Sequence, residues 1–162
     1  MTFKSPKAVF GSKSKKIMLA AGAAGVLLAG LISAYAQCKP MDQSAEAIIF
    51  SGGSWNEITA QAKKSGKYIF VDAYTTWCGP CRQLKDITFK DKKAAAFYNG
   101  NFINYSVDME KGEGVLLADR WDITAYPSLL FFTPDGKMVM RQVGYVDGRH
   151  LIEFGEQALT RK

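Results

Sequence analysis

The run Lys67–Tyr74 (KYIFVDAY) passes after three residues into Cys78-Gly79-Pro80-Cys81, and this junction restricts the fold more than any other part of the chain. Its β-branched and aromatic residues predict a strand, and the stretch from the cysteines to about Phe89 predicts a helix. Both cysteines therefore fall where strand becomes helix. Asp91 is a side chain able to cap a second helix ending near Asn99-Gly100, and Asn101–Asp108 (NFINYSVD) reads as a second strand. Strand, helix, strand implies a parallel pair joined by a helical crossover.

The remaining elements follow from capping and turn signals. Ser54-Trp55-Asn56-Glu57 is a capping box, and Trp55, Ile58 and Ala62 continue at helical spacing until Gly66. Before it, residues 37–53 form a polar lead-in whose one apolar cluster, Ile48-Ile49-Phe50, is compatible with a short strand. A Gly-rich loop, Glu110–Gly114, and a short helix up to Trp121 lead to Tyr126-Pro127-Ser128 and a strand Leu129–Phe132. Thr133-Pro134-Asp135-Gly136-Lys137 is a turn, because Pro pre-sets one dihedral angle and Gly accepts a positive one; Met138–Val143 then returns antiparallel. The sheet is mixed. Asp147 caps a last helix that would bury Leu151, Phe154, Ala158 and Leu159. Phe70, Phe97, Phe102, Phe131, Phe132 and Trp121 lie on these strands and inward helix faces and belong to the core.

A chain of 162 residues supplies one domain with a substantial core, and 48% hydrophobic against 22% charged residues excludes a disordered or collagen-like polymer. The net charge of +6 would favour nucleic acid, but five lysines (Lys4, Lys7, Lys13, Lys15, Lys16) lie in residues 1–36, which hold no acid. The rest of the chain carries 16 basic and 15 acidic side chains, so no nucleic-acid partner is expected. Residues 1–36 have the order of a secretory signal: a basic start, the uncharged run Ile17–Ala36, and a small-residue exit at Ala34-Tyr35-Ala36. Cleavage is expected after Ala36. An uncleaved anchor is the rival, since the run is long enough to span a bilayer and residues 17–36 would then be the sole membrane contact. Lipidation at Cys38 ranks below both, because Gln37 is large for such a site. Each alternative exports the domain to the periplasm or cell envelope.

Cys78 and Cys81 share one helix face, so their sulfurs can join without large backbone movement. At the helix's first turn, free N–H groups and the positive end of the dipole favour a thiolate at Cys78, which makes it the nucleophile. Cys81, deeper and less accessible, is the resolving thiol. Pro80 stands where its missing N–H matters least, and Gly79 leaves room for another chain. A structural disulfide would close only a tiny loop and restrain little unfolded-chain entropy. A zinc site would need further ligands, for which the chain offers only Cys38 in the tail and His150 in the last helix, so no metal or other cofactor is expected. Asp72 interrupts the apolar run Ile69-Phe70-Val71; buried beneath the motif, its carboxyl would rise in pKa and shuttle protons, whereas facing solvent it would be an ordinary strand residue. Pro127 opens a strand where a cis bond would mark a tight turn.

VDAYTTWCGPC at 71–81, Tyr126-Pro127 followed by SLLFF, and the order of elements resemble the thioredoxin family over about residues 54–160. ITFKD at 87–91, VDME at 107–110 and GYVD at 144–147 look most like the exported C-terminal thioredoxin-like domain of thiol:disulfide interchange proteins. The resemblance implies a thioredoxin-like α/β fold at residues 54–162, a central mixed β-sheet flanked by helices, behind a signal or anchor at 1–36 and the lead-in at 37–53. It further implies a thiol–disulfide oxidoreductase in which Cys78 attacks, Cys81 resolves, Asp72 accepts the proton and Trp77 shields the pair. Trp77, Gly79, Pro80, Tyr126 and a cis Pro127 would face the substrate. The implied partners are disulfide-containing proteins and an external reductant protein, which could be membrane-embedded. The Gly-Pro dipeptide leans towards reduction, with disulfide formation or a non-catalytic binding or chaperone-like module as alternatives. The chain departs from the family at Asn104, where a lysine is common near the buried acid, and at Tyr126, bulkier than the usual residue before the proline.

Overall fold

Why the Cys-Gly-Pro-Cys segment is held at one end of the sheet follows from how the strands pair. A computed structural model of the chain describes residues 45–161 and, before them, Thr2 alone; the leader, its exit site and Cys38 lie outside the described residues. The elements are α1 (Trp55–Ser65), β1 (Tyr68–Tyr74), α2 (Gly79–Asp86), a 3₁₀ turn (Thr88–Lys90), α3 (Lys92–Asn101), β2 (Phe102–Asp108), α4 (Gly114–Arg120), β3 (Ser128–Phe132), β4 (Met138–Val143) and α5 (Gly148–Leu159). The sheet order is β2-β1-β3-β4. β1 runs parallel to β2 and antiparallel to β3, which pairs antiparallel with β4, so the sheet is mixed.

Alternation along the strands sorts the core into two layers. Ile69, Val71 and Ala73 of β1 face α1 and α4, packing with Trp55, Ile58, Leu117, Trp121 and Phe132. Phe70 faces the other way, with Leu84 of α2, Tyr98 of α3, and Leu151 and Phe154 of α5. Each fully buried side chain of this size contributes roughly 1.5–3 kcal/mol of transfer free energy. Asp72 shares the parity of Phe70, and the pleat directs it to the layer that contains α2.

Local signals in the sequence act as read. Ser54 and Glu57 form a reciprocal capping box, and Gly66 closes α1 at φ 67°. The Asp91 carboxylate accepts the Ala94 N–H at 2.8 Å, and Asp147 accepts that of His150 at 2.9 Å. In the β3–β4 turn Gly136 takes φ 83° and donates to the Thr133 carbonyl at 2.9 Å.

Three expectations need correction. The first helix after the cysteines stops at Asp86 instead of continuing to Phe89. Thr88 instead turns inward, donating its hydroxyl to the Val146 carbonyl at 2.7 Å, while Phe89 packs edge-on against Phe50 and Phe70. Ile48-Ile49-Phe50 is no strand, and among the described residues the lead-in forms a single bridge, from Ser51 to Tyr105. Side chains replace the ladder: Asn99 accepts the Ile49 N–H at 2.8 Å, and Asn104 donates to the Ile49 carbonyl at 3.2 Å. Ile48 is nevertheless buried in the α2 layer, so the last residues of the lead-in pack onto the domain. Leu159 is 44% exposed at the end of α5 rather than in its apolar stripe.

Candidate active site

Cys78 is the N-cap of α2, with extended backbone (φ −70°, ψ 113°) and Pro80 in the first turn behind it. Cys78 and Cys81 are joined by a disulfide with a Cα–Cα distance of 5.3 Å. The Cys81 N–H also points at the Cys78 sulfur, 3.2 Å away. A helix-terminal N–H aimed at one sulfur and not the other is the asymmetry on which thiolate chemistry depends. Solvent exposure does not supply it: Cys78 is 3% exposed and Cys81 6%, which corrects the expectation of an open Cys78 above a shielded Cys81.

Around the pair, Trp77 is 63% exposed and its indole N–H donates to Glu110, at 2.9 and 3.0 Å from the two carboxylate oxygens. Tyr126 meets the Trp77 ring edge-on, with centroids 5.9 Å apart. The Tyr126–Pro127 peptide bond is cis, with Pro127 buried at the start of β3. A methyl group added at Gly79 would meet nothing within 4 Å, so there is free space at that position between the two cysteines.

Asp72 lies on the α2 side of the sheet and is buried, with 6% of its surface exposed, which excludes the solvent-facing alternative. The register places it opposite Ser106 of β2, whose hydroxyl donates to its Oδ2 at 2.9 Å. Oδ1 has no hydrogen-bond partner among the described residues. Burial pushes the carboxyl up to about 6; the Ser106 hydrogen bond and then the charge of Lys85 act in the opposite direction. Asp72 and Cys81 line the same cleft of about 490 Å³, walled by Ile48, Phe50 and Phe89 and rimmed by Arg82, Lys85 and Lys90. The arrangement can hold a proton close to one thiol of a dithiol pair.

Ser106, Lys85 and Glu110 are site residues that no motif in the sequence marks. Ser106 was within reach, because Asp72 and Ser106 are the fifth residues of two strands that pair from their first residues, Tyr68 with Phe102. Glu110 carries no such signal. Asn104, at the position of the family's lysine, turns its amide to Ile49 and Asn99, at 3.2 Å each, away from any role as a cation.

A mixed sheet between helical layers, with a bonded Cys-x-x-Cys at a helix N-terminus beside a cis-proline, defines a thioredoxin-like disulfide oxidoreductase fold. The thioredoxin-like domain family profile matches residues 55–159, and the chain belongs to that family. A protein disulfide-isomerase of Schizosaccharomyces pombe is 29% identical over 114 residues, covering 67% of this chain and 31% of that protein. Thiol:disulfide interchange protein DsbD 1 of Pseudomonas aeruginosa is 25% identical over 122 residues, covering 68% of this chain and 21% of its own length. This chain thus spans less than a third of either relative. The solution structure of a protein described as a disulphide-isomerase from Bacteroides thetaiotaomicron superposes with a TM-score of 0.64 at 40% identity, covering 72% of this chain and 96% of that one. The oxidised C-terminal domain of Neisseria meningitidis DsbD, at 20% identity and a TM-score of 0.55 over 64% of this chain and 90% of that one, shares the fold.

Proposed function

We propose that this protein is an exported thiol–disulfide oxidoreductase that reduces disulfides in other proteins through Cys78 and Cys81. The placement of the bonded pair at the N-terminus of α2, with Cys81 lining the same cleft as a buried carboxyl, carries this assignment. In the reduced protein the Cys78 thiolate attacks one sulfur of a substrate disulfide, forming a mixed disulfide and expelling the other substrate sulfur as a thiolate. The Cys81 thiol passes its proton to Asp72 and attacks the Cys78 sulfur, which releases the second substrate thiolate. Substrate gains two electrons and the protein returns to its disulfide form. Trp77, Gly79, Pro80, Tyr126 and cis-Pro127 form the face on which the substrate lies, with Trp77 held in place by Glu110. An external reductant protein restores the dithiol. The family resemblance of the Gly79-Pro80 dipeptide supports reduction over oxidation, and the interchange activity in the name of the Pseudomonas aeruginosa relative is compatible with it.

Export rests on residues 1–36, whose lysines and apolar run read as a leader cleaved after Ala36 or kept as an anchor, ahead of a working domain at 54–162. Among the described residues no helix is long and apolar enough to cross a membrane. Two measurements test the proposal. Purified protein should accelerate insulin reduction by dithiothreitol; binding of insulin without acceleration would instead mark a non-catalytic module. The protein recovered from the cell envelope should begin at Gln37, whereas intact Met1 in membranes would establish the anchor and a full-length cytoplasmic protein would overturn export.

A further inference from the structure

The cleft that reaches Asp72 and Cys81 has three cations at its rim, and they are not equivalent. Arg82 donates to the Thr76 carbonyl at 3.4 Å, and Lys90 pairs with Asp86 at 3.7 Å. Lys85 has neither kind of partner among the described residues, and it stands four residues after Cys81 on α2, on the same helix face. We propose that Lys85 is a positioning residue for proton transfer in this site: its ammonium, at the mouth of the cleft shared by Asp72 and Cys81, holds the Asp72 carboxylate ready to take the Cys81 proton. This inference rests on the redox function proposed above. It assigns to α2 the cation that the family resemblance would have placed at Asn104, a residue that the structure commits to the lead-in backbone.

The groups around Asp72 leave this role to Lys85. β1 itself contributes Tyr74, and β2 contributes Ser106 and, beyond it, Asp108, whose carboxylate is paired with Lys111 at 3.3 Å. β3 pairs Leu129 beside it, and among its described residues the lead-in supplies Ala47, Ile48 and Phe50 to the cleft. The charge of Lys85 favours ionisation of the carboxyl, against the desolvation that opposes it. An exposed ammonium is screened by solvent, so its influence is graded rather than absolute.

The test is a pH–rate profile of the Cys81-dependent resolution step, with a parallel ¹³C-carboxyl titration of Asp72 in the reduced protein. Substituting Lys85→Met should move both inflections up by about half a pH unit, which slows resolution about threefold on the acid side. Lys85→Arg should keep the wild-type profile. In an Asp72→Asn background Lys85→Met should change nothing. Active protein whose Asp72 titration is unmoved by Lys85→Met would overturn the inference alone, as would an equal shift that persists in the Asp72→Asn background. Wild-type protein that fails to reduce insulin at any pH would overturn the functional assignment and this inference with it.

Discussion

Cys81→Ser protein should accumulate disulfide-linked complexes with its substrates, while Cys78→Ser protein should form none and lose turnover entirely. The two cysteines are almost equally covered in the oxidised protein, so accessibility alone would predict similar behaviour for both variants. Helix position predicts otherwise. Cys78 caps α2 and its sulfur receives the Cys81 N–H, so a charge on Cys78 meets the positive end of the helix, whereas Cys81 lies inside the first turn. Cys78 should therefore titrate below the ~8.5 of a free cysteine, while Cys81 stays protonated until a base receives its proton. With serine at 81 the first exchange proceeds and the mixed disulfide has no intramolecular escape; with serine at 78 no first exchange occurs. Trapped complexes should dissolve in dithiothreitol, and mass spectrometry should place the link at Cys78. Cys38→Ser should leave turnover of the isolated domain unchanged. Complexes linked through Cys81 in the Cys78→Ser protein, or comparable activity for both variants, would overturn this division of labour.

What the sequence made legible was whatever local chemistry decides. The capping box at Ser54, the caps at Asp91 and Asp147, the Gly136 turn and the change from strand to helix at Cys78 are each settled within a few residues, and the structure places each where it was read. Long-range competition decided the failures. α2 could have continued as a helix, but Thr88 bonds to Val146, 58 residues away, and Phe89 enters an aromatic cluster with residues 50 and 70. Ile48–Phe50 has strand composition, yet Asn99 and Asn104 take its backbone groups. For the site, the reacting pair was visible because its residue types and spacing carry the chemistry. Its electrostatic surroundings were not: Lys85 and Glu110 are ordinary surface charges until the fold brings them to Asp72 and Trp77.

Replacing Asp72 by Asn should stabilise the oxidised protein at neutral pH while slowing its reduced form in turnover. The folded carboxyl titrates at about 6 against an ordinary value of 3.8, because burial opposes its charge. Between these values the folded protein holds a proton that the unfolded chain has lost, so stability falls as pH rises from about 4 to about 6 and is level above. A difference of about 2 pH units corresponds to roughly 3 kcal/mol of destabilisation at pH 7. Asn is uncharged and should recover much of it, less the cost of burying an amide where Oδ1 has no partner among the described residues. Urea unfolding of the oxidised proteins should give nearly equal stability below pH 4 and an advantage to Asp72→Asn that grows to its full value near pH 7. In turnover the sign reverses, since Asn cannot accept the Cys81 proton: insulin reduction should slow at neutral pH and its profile should lose the inflection near 6. A stability difference between the two proteins that does not change from pH 4 to pH 7 would mean that the carboxylate is solvated in solution. An unchanged pH–rate profile would make Asp72 a strand residue without a part in catalysis.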